Sequence, residues 1–286
     1  MSGPTVRRRR LGAKLRALRD ALDLTLDDVA EKSAGRITVA KLSRLETAKS
    51  AAKAPDVEML LDLYGGVEPE LRAALLTLSR EGGRRGWWHS YRGVLSPVYE
   101  DLISLEAEST TIRTWQVGAI PGLLHTGDYA REIIATTAMH AAVEAQVDAL
   151  VEVRLARQAV LTREQPVALW AVIAEGALRN RCAGDGVMRE QLSRLLLVGR
   201  RPNVNIQILP TDALLHVGQM GAFSILGFEE HVDLDVVHIE SLASALYVEA
   251  REDVAVYRDA FERLQAAALP VDASAERIAE IREELA

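Results

Sequence analysis

The sequence predicts a small all-α head followed by a larger α+β domain, helical in its first half and built on a mixed sheet in its second half. Three observations predict this. As far as Tyr64 the apolar residues recur at helical spacing, in short runs separated by capping residues. From Val167 onward the period shortens to that of strands. Between these regions Gly65-Gly66 and Glu81-Gly82-Gly83-Arg84-Arg85-Gly86 interrupt the pattern. The expected domains are residues 1–66, a linker helix with a Gly/Arg-rich linker over 67–86, and a second domain over 87–286.

In the head, Leu11, Leu15, Leu18 and Leu22 form one apolar stripe, with Lys14, Arg16, Arg19 and Asp20 on the other face. Thr25 offers a hydroxyl to cap a second helix, and Asp28 three residues on makes a weak capping box. Leu26, Val29 and Ala30 are its inner face, and Ser33-Ala34-Gly35-Arg36 is a turn. Thr38 caps a third helix, with Ala40 (or Val39), Leu42 and Leu45 inward. Asp56 is expected to cap a fourth, packed through Val57, Leu60, Leu61 and Tyr64. Leu71, Leu75, Leu76 and Leu78 predict one more helix in the linker.

Short helix, tight turn, short helix is the helix-turn-helix arrangement, whose second helix enters the major groove of DNA. Its outward residues here are Val39, Ala40, Lys41 and Arg44. Lys and Arg can bond guanine O6 and N7, and small apolar groups can touch a thymine methyl. Leucine spacing alone fits a helical bundle that binds no nucleic acid. The ordered set of capped helices, turn and exposed cations favours DNA. Residues 1–64 hold 13 Lys+Arg against 9 Asp+Glu, a net +4, whereas the whole chain is −7 and the remainder therefore −11. A basic head on an acidic body predicts that only the head meets phosphate. Arg7-Arg8-Arg9-Arg10 is placed just before the first helix, either as a solvated tail or as a phosphate or groove contact.

The phrases Leu24-Thr25-Leu26-Asp27-Asp28-Val29-Ala30 and Leu42-Ser43-Arg44-Leu45-Glu46-Thr47 resemble the signature of the xenobiotic-response-element helix-turn-helix family, which includes phage Cro-like repressors. The resemblance implies that Thr38, Val39, Ala40, Lys41 and Arg44 occupy DNA-contact positions and that Arg19 pairs with Glu46. Arg36, Ser43 and Lys49 complete the candidate DNA-binding set. The turn from Ser33 to Ile37 is longer than the family's usual one, and Ala48 stands where a glycine commonly ends the recognition helix.

The second domain begins at Trp87-Trp88-His89-Ser90-Tyr91. Helices are expected from Val98 to Ile112, from Thr126 to Thr137 and, as one long element, from Val143 to Leu161, with a break over Val117 to Leu124. Strands are expected at Val167–Ile173, Val204–Leu209, Ala222–Leu226, Asp235–Ile239 and Ser244–Val248. A helix from Met188 to Val198 makes the first two a candidate parallel βαβ unit, and the later strands follow at hairpin spacing. Helices from Asp253 to Ala268 and from Ser274 to Leu285 close the chain.

Five phrases carry a second resemblance: Val94 to Glu100, Leu105-Glu106-Ala107-Glu108, Ile120 to Arg131, Arg154-Leu155-Ala156-Arg157-Gln158 and Arg201-Pro202-Asn203-Val204. They resemble an effector-like domain found behind such heads in actinobacterial regulators. His125 and Gly127 depart from that pattern. The resemblance implies roles in development and specialised metabolism, a small acidic partner protein encoded nearby, and antitoxin-like behaviour in some members. It supplies no catalytic residues.

No apolar run reaches the length of a membrane span, and the charged N-terminus is unlike a signal peptide. The single cysteine, Cys182, excludes an internal disulfide and fits a reducing cytoplasm. It is expected to be a buried inert thiol rather than a redox sensor. The six histidines show no metal-ligand spacing, and no phosphate-binding or dinucleotide fingerprint is present, so no metal or cofactor is expected. Glu106, Glu108, Glu175 and Glu240 could supply acid/base pairs, but such carboxylates are more commonly helix-face charges. Trp87, Trp88, Trp115 and Trp170 are the candidate lining of a ligand pocket, with core anchoring as the plainer alternative. The expected protein is a cytoplasmic, nucleoid-associated, homodimeric transcriptional regulator that binds double-stranded DNA. Its second domain would dimerise and bind a small partner protein or a small-molecule effector. The alternative is an antitoxin-like protein that sequesters a partner, with DNA binding serving autoregulation; an enzyme is the remote third.

Overall fold

The computed structural model describes residues 6–81, 86–91, 93–138, 141–180, 185–228, 234–241 and 244–285. Two compact units emerge, one of residues 1–89 with 230–234 and the other of residues 90–229 with 235–286.

The first unit is helical: α1 (Val6–Asp20), α2 (Leu26–Lys32), α3 (Val39–Glu46), α4 (Ala54–Tyr64) and α5 (Pro69–Glu81). Leu15, Val29, Ile37, Leu42, Leu60 and Leu75 are fully buried between them. The Thr25–Asp28 capping box is complete, with each side chain bonded to the other residue's backbone N–H. Thr38 Oγ1 accepts from the Lys41 N–H and starts α3. Gly12 explains how closely α1 crosses α3. A Cβ there would lie 2.5 Å from the Leu45 carbonyl oxygen. Past the end of α3, Ala48 takes a left-handed φ of 56°, the backbone state a glycine adopts without strain.

Three expectations for the head need correcting. Arg7 to Arg10 do not precede the first helix but form its opening turns. Leu22 leaves the apolar stripe, because α1 ends at Asp20 and its side chain is 46 % exposed. Asp56 does not cap α4, whose N-cap is Lys53; its carboxylate is turned to Lys41 instead.

The second unit starts with α6 (Pro97–Glu108), β1 (Thr111–Gln116), α7 (Gly127–Thr137), α8 (Ala141–Glu144) and α9 (Val147–Arg157). Then come β2 (Ala168–Ala174), α10 (Glu175–Arg179), α11 (Asp185–Val198), β3 (Val204–Leu209), β4 (Phe223–Gly227), β5 (Val236–Glu240), β6 (Ala245–Val248), α12 (Arg251–Ala267) and α13 (Val271–Glu284). The six strands form one mixed sheet in the order β3-β2-β1-β4-β5-β6. β1, β2 and β3 are parallel, and β4, β5 and β6 continue antiparallel from β1. The βαβ unit of β2, α11 and β3 is thus present.

Two helical expectations fail here. The helix begun at Val98 stops at Glu108, and Thr111-Ile112-Arg113-Thr114-Trp115-Gln116 is a strand rich in β-branched and aromatic residues. The long helix over Val143 to Leu161 is three pieces: α8, α9 and a 3₁₀ turn over Gln158–Leu161.

One sheet face packs Trp115, Val172, Phe223, Ile225 and Val237 against Phe261 and Leu264 of α12. On the other face the β2–β3 half is dry. Ala171, Ile173, Ile206 and Ile208 meet Leu192 and Leu195 of α11 and Ile278 and Ile281 of α13. The β1–β4–β5 half of that same face carries Thr114, Ser224 and His238 in one cross-strand row.

Candidate nucleic-acid interface

Helix α3 turns Leu42 and Leu45 into the head and leaves Ala40 and Arg44 exposed one turn apart. Thr38, Arg36 and Lys49 are also exposed, whereas Val39, Lys41 and Ser43 are half-buried. Among the described residues, Arg36, Arg44 and Lys49 make no side-chain hydrogen bond or ion pair. Three unpaired cations therefore flank the outer surface of α3. This combination suits phosphate and base-edge contacts.

Lys41 is placed differently. Its ammonium lies 2.6 Å from Asp56 Oδ1, with the two side chains 34 % and 17 % exposed. A base contact by Lys41 would have to draw it away from that carboxylate. The sequence marks Asp56 as a cap and hides its pairing with Lys41, because the pair spans fifteen positions and two helices. Gly12 was missed. A glycine inside an otherwise apolar helical stripe is itself a signal of close backbone approach.

Arg19 and Glu46 are brought together. Nε donates to Oε1 at 2.8 Å and Nη2 to Oε2 at 2.9 Å, a two-pronged fork, and Nη1 donates to the Leu24 carbonyl at 2.7 Å. The side chains are 10 % and 5 % exposed. The hydrogen bond and charge of Glu46 raise the Arg19 pKa despite the opposing effect of burial. The fork ties the end of α1 to the end of α3 and so fixes the pitch of the outward residues. Arg10 is buried and donates to the Leu234 carbonyl at 2.6 Å, so it is not part of a free basic tail.

The four tryptophans are divided between the two units. Trp87 and Trp88 stack edge-to-face at 5.9 Å in the first unit. Trp115 is fully buried under α12 and donates to the Gly218 carbonyl, and Trp170 donates to Gln207 Oε1. Each ring has found an ordinary packing partner. Cys182 lies outside the described residues. Glu106 and Glu175 are not helix-face charges but buried ion-pair partners, of Arg157 and of Arg179 with Arg277 respectively. Among the described residues no group of His, Cys, Asp or Glu could hold a metal ion, and no helix is long and apolar enough to cross a membrane.

Two family models match the chain. Residues 10–75 match a helix-turn-helix domain, and residues 99–280 match a domain of unknown function, DUF5753. No curated protein matches it. The helix-turn-helix match supports a DNA-binding regulator.

Proposed function

This chain belongs to the DUF5753 family, and from that premise we propose that it is a sequence-specific transcriptional regulator that reads DNA through α3. The observation that carries the reading is Arg44: exposed, unpaired among the described residues, and one turn along from Ala40 on a helix held by the Arg19–Glu46 fork. The head is of the xenobiotic-response-element type, and the protein works at the nucleoid of an actinobacterial cytoplasm. The second domain dimerises, because one short recognition helix reads too few base pairs and paired half-sites are the usual remedy. It performs no catalysis in this reading and binds an effector.

Selection of a preferred operator from random duplexes, followed by titration of Arg44→Ala, tests the proposal. The variant should lose about 1–3 kcal/mol and relax its preference at one base pair. Unchanged binding to the best operator would remove α3 as the reading helix. Sedimentation of the full chain at micromolar concentration should show a dimer.

An antitoxin-like role, in which the second domain holds a small partner protein, is favoured by one feature. Leu214, Leu215 and Met220 stand 89 %, 85 % and 93 % exposed on the segment between β3 and β4. Large apolar side chains grouped this way mark interaction surfaces. Replacing all three by Ser should abolish recovery of that partner from the native host and leave DNA affinity unchanged.

A further inference from the structure

The polar half of the sheet face is roofed by α6, α9 and the segment 119–125, and a cavity of 160 Å³ remains between roof and sheet. A single water needs only about 10–15 Å³ by this measure, and pockets for drug-sized ligands run to about 300–1,000 Å³. The space therefore suits a small metabolite.

The floor is Thr114, Ser224 and His238, from three adjacent strands in register, with Thr114 and Ser224 hydroxyls 2.8 Å apart. The wall holds a second Arg–Glu fork. Arg157 Nε donates to Glu106 Oε2 at 2.7 Å and Nη2 to Oε1 at 2.5 Å, while Nη1 donates to the Tyr99 hydroxyl at 2.5 Å. Both side chains of the ion pair are 7 % exposed. The same position on the β2–β3 half is filled with aliphatic side chains, so nothing in the fold demands polarity here.

Two side chains of the cavity wall keep a nitrogen without a partner, in each case buried behind the wall. His125 is 2 % exposed, and its Nε2 lies 2.7 Å from the Ile120 carbonyl. That bond requires the proton on Nε2, so Nδ1 is a bare acceptor, and it has no partner. Burial, helped by the nearby Arg154 charge, pushes the His125 pKa down to about 3 and keeps the ring neutral. Arg154 is the second. Its Nε is buried without a partner, and among the described residues its guanidinium makes no ion pair. The charges close to the same conclusion. Arg154 and Arg157 face the single inner carboxylate of Glu106, with Glu240 exposed to water at the margin. One positive charge is left over, which matches a monoanion and not a phosphate dianion.

We propose that this cavity binds a small monocarboxylate that also carries a hydroxyl or N–H group, with Arg154 taking the carboxylate and the neutral His238 ring accepting from the donor. Thr114 and Ser224 are placed to bond the remaining polar edge. This rests on the reading of the second domain as effector-binding and is independent of whether α3 reads DNA.

The test uses the full chain with lactate, 3-hydroxybutyrate and N-acetylglycine as probes, and with lactamide and inorganic phosphate as controls. Melting curves and calorimetric titration are the readouts. At least one carboxylate should raise the melting temperature and bind at a one-to-one ratio, while lactamide and phosphate should not. Arg154→Met should weaken that binding at least tenfold, and Arg154→Lys should restore part of it by keeping the charge. Ser224→Ala, a variant of the floor that disturbs no ion pair, should weaken it several-fold. No response to any of the three carboxylates would overturn the proposal, as would equal binding by the wild type and by either Arg154 variant. Phosphate binding in place of carboxylate would overturn the monoanion assignment. Operator binding, followed in parallel, separates the two readings: its loss with carboxylate binding intact removes the DNA reading alone, and the reverse removes only the cavity.

Discussion

Arg19 with Glu46 and Arg157 with Glu106 are the same chemical object in two regions of the molecule: a guanidinium gripping both oxygens of a carboxylate out of water. In the head the fork sits where two helix ends meet. Its third hydrogen bond goes to a backbone carbonyl, and Asp20 lies 2.7 Å from the same guanidinium. In the second unit the third bond goes to the Tyr99 hydroxyl, and the Tyr99 ring lies against the guanidinium at 4.9 Å. There the pair borders open space beside two neutral histidines. A buried ion pair is a poor source of net stability, because desolvation offsets most of its attraction. What it supplies is a fixed position: of one helix against another in the head, and of a cavity wall in the second unit.

The largest effect that separates the two comes from removing each carboxylate in turn. Glu106→Ala leaves Arg157 charged, buried and with only the Tyr99 hydroxyl, and should destabilise the second unit by about 3–5 kcal/mol in chemical denaturation. Glu46→Ala should cost less, about 2–3 kcal/mol, because Asp20 and the Leu24 carbonyl still serve Arg19. Equal losses would show that the fallback partners do nothing and that the two forks are energetically alike. Acid should distinguish the units next. Burial holds His125 at about 3 and His238 at about 4, both below their unfolded value. The unfolded chain thus binds more protons between pH 6.5 and those values, and the second unit loses stability as pH falls through that window. The slope is about 1.4 kcal/mol per pH unit for each histidine. His238→Gln should flatten it by roughly half, as read from denaturation midpoints across the series. The smallest effect belongs to Lys41→Ala. Its pair with Asp56 is partly exposed, so the stability loss should stay below about 1 kcal/mol. An operator affinity loss well above that would mean Lys41 leaves Asp56 to meet DNA.

The head was largely legible in the sequence because its determinants are local. Thr25 and Asp28 cap within one turn, and Thr38 caps three residues ahead of Lys41. The Lys41–Asp56 pair was not legible, since nothing in a sequence tells a capping carboxylate from one that reaches back to a neighbouring helix. In the second unit five strands showed their period, but β1 did not. Its apolar residues continue the spacing of α6, and only the Ser109-Thr110-Thr111 run marks the change. The cavity was invisible because its residues come from positions as far apart as Tyr99 and His238. Yet Tyr99, Glu106, Arg154 and Arg157 all fall inside phrases that carry the second resemblance, which was the available signal, whereas His125 departs from that pattern. The tryptophans drew attention through size, and size proved to serve packing.

The strand order has a consequence for synthesis. Of the six strands of this sheet β1 leaves the ribosome first, and it ends in the middle of the sheet. The parallel layer grows from one of its edges as β2 and β3 emerge, and the other edge stays bare until β4 is made. A chain halted between β3 and β4 would present Thr111 to Trp115 as an unpaired template, open to a second nascent copy.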